Sequence, residues 1–295
     1  MKSRYIRLLR PVAWITFLFP FSVGIGIGMN PNTNLIHVMF AFYAFTCWMS
    51  FCFIVNAFGD KDVDKFHNGR SKDMNLANQP IATGEFNEKE ILFLSILFLL
   101  FSLLFALIIN CLFFMIIVVV NIFGFVYSMP PIRFKAKPVG DILSNAISAG
   151  AIFTAGISVG GSNINILIIL EAIIMASIFY LPTVLTDLEF DKKMGLRTSA
   201  VYFGPRKILL AMYLQTIFLI IVGLIIYLQS NIELKILVLL MIVYTLIFIF
   251  AAHSKLKGET LYLHENWILI PFTVLSAAFV IYGIIKYFGW IVINS

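Results

Sequence analysis

From Pro11 to Gly59 this chain contains no Lys, Arg, Asp or Glu, and a second uncharged run extends from Ile91 to Ile132. A bilayer core needs about 20 apolar residues per spanning helix, so each run is long enough for two. With no water to satisfy its N–H and C=O groups, the backbone must make its hydrogen bonds internally there, as helices do. The charged fraction of the whole chain is 12%, where a soluble domain of ordinary composition carries about 25%. The expected fold is therefore an all-α polytopic membrane protein.

Polar clusters divide the apolar runs. They include Asn30 to Asn34, the single residue Asn110, Gly160 to Asn165, and Gln229-Ser230-Asn231. The spacing predicts nine transmembrane helices around a central cavity, over residues 11–29, 35–59, 90–109, 111–128, 141–160, 165–186, 207–228, 235–252 and 266–288. The weakest boundary is Asn110, where one residue must serve as a whole turn.

The basic residues set an orientation. Nineteen of the 21 Lys and Arg fall in the amino-terminal tail, in the loops after the second, fourth, sixth and eighth helices, or at their edges; only Lys235 and Lys286 lie elsewhere. Basic loops stay inside, so the amino terminus and these four loops are expected in the cytoplasm and the carboxyl terminus outside. The same bias accounts for the net charge of +6. No basic stretch interleaves with aromatics as a nucleic-acid surface would, so no nucleic-acid partner is expected. The basic loops suit anionic lipid headgroups instead. The first apolar stretch is followed by more spans and does not read as a cleavable signal. Cys47, Cys52 and Cys111 lie within expected helices without ligand spacing, and His37, His67, His253 and His264 share none.

Six of the fifteen acidic residues occupy two short windows at helix ends. The first reads Asn56-Ala57-Phe58-Gly59-Asp60-Lys61-Asp62-Val63-Asp64, the second Asp187-Leu188-Glu189-Phe190-Asp191. Residues four apart share a helix face, which aligns Asn56, Asp60 and Asp64, and likewise Asp187 and Asp191. Asp62 falls off the first stripe and reads as a solvated side chain, while Glu189 falls on another face, within reach of Lys192 or Lys193. Mg2+ takes oxygen ligands and uses one or two carboxylates together with substrate phosphates. Carboxylates facing a diphosphate would repel it without such an ion. Asp60, Asp64, Asp187 and Asp191 are therefore the candidate metal ligands, and with Asn56 the candidate catalytic set. Arg70, Lys72, Arg197 and Thr198 follow closely and could donate to phosphate oxygens.

Between the two windows stands Tyr127-Ser128-Met129-Pro130-Pro131-Ile132-Arg133-Phe134-Lys135. The prolines end a helix and impose an extended turn. This loop reads either as a rigid interfacial anchor or as part of a site, with Tyr127 facing the cavity and Arg133 or Lys135 reaching the substrate. Asp141 and Asn145 share a face and could border the same cavity. Glu171, as a carboxylate within a span, is a functional candidate by default, but it lies near the outer interface, where snorkelling to water is the expected behaviour.

Taken together these residues resemble the UbiA superfamily of intramembrane prenyltransferases. The first motif matches at Asn56, Asp60 and Asp64, and the second at Asp187 and Asp191, extending through Gly195, Thr198 and Gly204. The turn matches at Tyr127, Ser128, Pro130, Pro131, Arg133 and Lys135; Arg10-Pro11 and Asn78-x-Pro80 through Gly84 are also similar. Ala57 and Gln79 depart from the pattern, at positions where many members carry aspartate and arginine. The resemblance implies one domain over 1–295; the two acidic windows, each ending an even-numbered helix four helices apart, hint at a four-helix pseudo-repeat over 11–128 and 141–252 with a ninth helix over 266–288. It implies Mg2+-dependent transfer of a prenyl group from an allylic polyprenyl diphosphate to a lipophilic acceptor, a quinone-ring precursor or a membrane lipid. Prenylation of a carotenoid or porphyrin by the same chemistry is the alternative acceptor class. An ion-coupled transporter is the alternative outside enzymes, although its acids would sit near the midplane rather than at helix ends. Beyond the diphosphate, the acceptor and the bilayer, no feature calls for a protein partner.

Overall fold

The computed structural model describes residues 4–65, 79–256 and 266–289. Within these it is helical throughout, with nine helices long and apolar enough to cross a membrane. They are α1 (Ile15–Gly28, which spans together with the turns before it, over Arg4–Gly28), α2 (Leu35–Gly59), α3 (Glu88–Ile109), α4 (Cys111–Ser128), α5 (Gly140–Val159), α6 (Ile166–Thr186), α7 (Pro205–Gln229), α8 (Ile232–Leu256) and α9 (Asn266–Tyr287). The expected nine spans are all present, and the largest differences are of four residues: α8 runs four further at its carboxyl end, and α1 begins four later than expected because Pro11–Trp14 forms a 3-10 turn. A short helix Arg4–Leu9 and a 3-10 turn Pro11–Trp14 precede α1.

The break at Asn110 works because that residue serves two helices and a third. Its backbone is extended, its side-chain oxygen accepts from Phe113 N at 2.8 Å, and its amide donates to Ser158 O of α5 at 2.9 Å. One amide thus caps α4 and ties the α3–α4 hairpin to its neighbour. Asn87 opens α3 with a reciprocal capping box to Glu90.

Small residues bring α1, α5 and α9 into backbone contact. A Cβ added at Gly24 would lie 2.2 Å from Phe153 O, one at Gly156 2.5 Å from Phe21 O, and one at Gly26 2.3 Å from Phe279 O. Close approach of this kind is how helices associate where lipid removes the hydrophobic drive. The buried apolar side chains form two main groups. One gathers Phe21, Phe45, Trp48 and Phe113; the other gathers Ile178, Leu219, Val238 and Phe272. The cavity opens between them, bordered by Trp48 from the first and Phe272 from the second.

Glu171 departs from its expected behaviour. It is wholly buried, and among the described residues neither carboxyl oxygen has a hydrogen-bond partner. Its position on α6 turns it toward α7 instead of the interface, where Gly223 leaves room: a Cβ there would stand 3.1 Å from Glu171 Oε1.

Candidate active site

Helix α2 ends at Gly59, and a short helix, Lys61–Asp64, continues its register. Asp60 N donates to Asn56 O at 3.0 Å and Asp64 N to Asp60 O at 2.8 Å. The i to i+4 geometry therefore survives the break, and Asn56, Asp60 and Asp64 all border the cavity. Asp64 is buried, whereas Asp62 is exposed and pairs with Lys65 at 3.1 Å. At the end of α6 the same device recurs. Asp191 N donates to Asp187 O at 2.8 Å, a short helix Leu188–Lys193 carries the register on, and both carboxylates border the same cavity. Glu189 turns outward to Lys192 at 2.9 Å. Two windows 123 positions apart, counted from Asp64 to Asp187, thus share one cavity of about 1110 Å³.

The proline turn, which includes a cis Pro130–Pro131 peptide bond, delivers two cations to the first window. Arg133, held at a left-handed φ of 43°, donates from Nη2 to Asp60 Oδ1 at 2.9 Å. Lys135 donates from Nζ to Asp60 Oδ2, and to Asn56 Oδ1 at 2.9 Å. Of the two open readings of this loop, the structure places it in the cavity wall. Burial draws the Lys135 ammonium below its ordinary pKa, opposed by the charge of Asp60. Burial, reinforced by the neighbouring Asp60, pushes the Asp64 carboxyl up to about 7, against the pull of Arg10.

Behind this charged rim the cavity turns apolar. Tyr127 and Tyr180 bring their hydroxyls to 3.2 Å of each other, and Trp48, Phe153, Phe179 and Phe272 present aromatic surface. Thr198 reaches the cavity but donates to Asp191 Oδ2 at 2.9 Å, so it orients a carboxylate. Arg197 is not among the lining residues. Gly195, at φ 67°, reverses the chain so that Leu196 points inward and the Arg197 guanidinium lies 5.8 Å over the Tyr202 ring. Asp141 also differs from expectation: it is sealed behind the cavity against Ser199, while Asn145 alone of that pair lines it. Arg70 and Lys72 lie outside the described residues. Arg10 and Tyr180 border the cavity and carried no site role in the sequence reading. The signal for Arg10 was its place before Pro11 at the head of an uncharged run.

The donor set can be tested against Mg2+. All candidate ligands are hard carboxylate oxygens, and two of them, Asp64 and Asp191, are buried in the cavity wall. Among the described residues no three His, Cys, Asp or Glu side chains converge closely enough to hold an ion by themselves. Such a site suits an ion that completes its shell with substrate phosphate and water, as Mg2+ does. The residues fit.

The model of the UbiA prenyltransferase family matches residues 17–262. The chain belongs to the UbiA prenyltransferase family. A UbiA homolog from Archaeoglobus fulgidus bound to GPP and Mg2+ is 43% identical, with a TM-score of 0.92 over 97% of this chain and 99% of that one. The same homolog bound to DMAPP and Mg2+ gives 44% identity and a TM-score of 0.92, with the same coverage. A lycopene elongase/hydratase from Haloferax volcanii is 33% identical over 81 residues, which is 28% of this chain and 27% of that protein. This UbiA-family chain is an integral membrane enzyme, a prenyltransferase.

Proposed function

We propose that Asp60 with Asp64 and Asp187 with Asp191 hold Mg2+ against the diphosphate of an allylic prenyl donor, whose chain extends into the apolar cavity. The observation that carries this reading is the convergence of both aspartate pairs on one cavity that is charged at its rim and aromatic within. The A. fulgidus homolog, with GPP or DMAPP and Mg2+ bound, supports short donors of this class.

Held by Asp60, Asp64, Asp187 and Asp191, Mg2+ would supply positive charge that offsets the charge developing on the leaving diphosphate. Arg133 and Lys135 fix Asp60 and add two further positive charges beside the departing group. The allylic carbon–oxygen bond breaks with both electrons leaving on diphosphate, and the positive charge left on the allylic fragment faces the aromatic rings of the cavity. The acceptor's electron pair forms the new bond to that carbon, and the acceptor then loses a proton. The helices around the cavity keep water from capturing the fragment first.

The acceptor is a lipophilic molecule that enters from the bilayer, a quinone-ring precursor or a membrane lipid. The H. volcanii match favours a second reading, a carotenoid chain end. The distribution of basic residues supports a cytoplasmic amino terminus and a site opening to the cytoplasm, in the cell membrane.

The purified chain in liposomes, given isotope-labelled GPP or DMAPP and extracted membrane lipids, tests this. Product analysis by mass spectrometry is expected to show a prenylated lipid, absent with Asp64→Asn or Asp187→Asn. Undiminished product from both folded variants would remove the assignment.

A further inference from the structure

We propose that Asp141 and Ser199 form a joint that locks the two aspartate windows into register and sets how tightly the second one binds its metal. This rests on the reading of Asp191 as a Mg2+ ligand. Both residues are wholly buried. Asp141 Oδ2 accepts from Ser199 N at 2.8 Å, and Asp141 Oδ1 accepts from Ser199 Oγ and from Ile142 N at 2.9 Å. Ser199 Oγ in turn accepts from Val139 N at 2.7 Å.

Val139 adopts φ 67°, a conformation unfavourable for a β-branched residue, which survives only where neighbours enforce it. Its N–H is held by the serine. The strained residue therefore lies at the end of the very loop whose Arg133 and Lys135 grip Asp60. On the other side of the joint, Ser199 follows Thr198, whose hydroxyl holds Asp191 Oδ2. The chain of contacts runs from Asp60 through the proline turn to Asp141, across to Ser199 and Thr198, and so to Asp191. Partners behind a metal ligand orient it, and losing one typically lowers metal affinity 10- to 100-fold.

Asp141 can serve this role only as a carboxylate. It receives a backbone N–H on each oxygen and a hydroxyl besides, whereas the amide of an asparagine has a single acceptor oxygen. An asparagine leaves a buried donor unmatched in either orientation, and the displaced Thr198 hydroxyl then releases Asp191. Asp141 and Ser199 are positioning residues. Neither lines the cavity.

The test uses the full chain in nanodiscs with a non-ionising thio analogue of GPP, titrated with Mn2+ and read by the electron paramagnetic resonance of the free ion. Asp141→Asn and Ser199→Ala are each expected to raise half-saturation about tenfold. Because both act through one joint, the double variant is expected to rise no further than the worse single one. Prenyl transfer at saturating Mg2+ is expected within twofold of wild type. Unchanged half-saturation in Ser199→Ala, or additive losses in the double variant, would overturn the joint. Should Asp141→Asn fail to fold, Ser199→Ala decides alone, since it removes one hydroxyl. A wild-type chain that bound no Mn2+ would overturn the metal reading as well, and so is distinguishable from failure of the joint alone.

Discussion

Arg133 and Asp60 are joined at 2.9 Å although 73 residues separate them in the chain. Lys135 takes the other oxygen of the same carboxylate, so the leading acid of the first window sits between two cations. A carboxylate held in this way keeps its orientation, and the cations remain beside the place where diphosphate charge would collect. Lys135 is the more buried of the two, with 13% of its side chain exposed against 24% for Arg133, and a charge acts more strongly where water is excluded.

Lys135→Met is therefore expected to lower kcat/KM for the prenyl diphosphate by about 10²- to 10³-fold, the usual loss on removing one preorganised electrostatic contact. Arg133→Gln is expected to cost less. Steady-state kinetics with labelled donor compare the two, and the reverse ranking contradicts the burial argument.

The raised pKa of Asp64 makes metal binding proton-linked. Below about 7 an arriving ion must displace a proton from this carboxyl, so apparent Mg2+ affinity is expected to climb as pH rises toward 7 and to level off above it. The stability of the metal-free protein runs the other way. A group whose folded pKa exceeds its ordinary value of 3.8 contributes fully below that value, and the contribution drains away as pH rises through about 7. Thermal unfolding with a chelator at pH 5 and pH 8 checks this sign, and Asp64→Asn is expected to flatten the difference.

Much of this arrangement was legible in the sequence because two strong periodicities carry it. Uncharged runs of spanning length set the helices, and acids four apart set the faces of Asp60/Asp64 and Asp187/Asp191. The reading was weaker wherever a side chain's direction depends on a turn. Nothing in Leu196-Arg197-Thr198 tells which of the three points inward; that follows from the positive φ of Gly195. Asp141 and Asn145 share a face by spacing, yet only the docking of Ser199 decides that the first is sealed and the second exposed to the cavity. The burial of Glu171 depended on Gly223, a residue 52 positions away whose missing side chain makes room.

Gly156 is the clearest packing constraint. A methyl group there meets Phe21 O at 2.5 Å and Ile25 N at 2.8 Å, both backbone atoms that cannot rotate aside. Overpacking of this kind costs about 1–3 kcal/mol and sometimes more. Gly156→Ala is expected to lower the unfolding temperature in detergent, whereas alanine at Gly161, which has nothing within 4 Å of its Cβ but a φ of 71°, acts through backbone strain alone.

Glu171 offers the opposite case. A buried carboxyl whose oxygens both lack a partner among the described residues is a burden of about 1–3 kcal/mol on stability, and an apolar side chain of similar length relieves it. Glu171→Met is expected to raise the unfolding temperature without loss of prenyl transfer, since Glu171 does not border the cavity. A loss of activity in the folded variant would give this residue a function that its surroundings do not suggest.

The most direct measurement is the binding of GPP to the purified chain by calorimetry, with Mg2+ and with a chelator. Binding that needs Mg2+ and disappears in both Asp64→Asn and Asp191→Asn is the expected result, because carboxylates from both windows must grip one diphosphate through the metal. Equal affinity in the presence of chelator, or loss with only one of the two variants, would contradict a shared site.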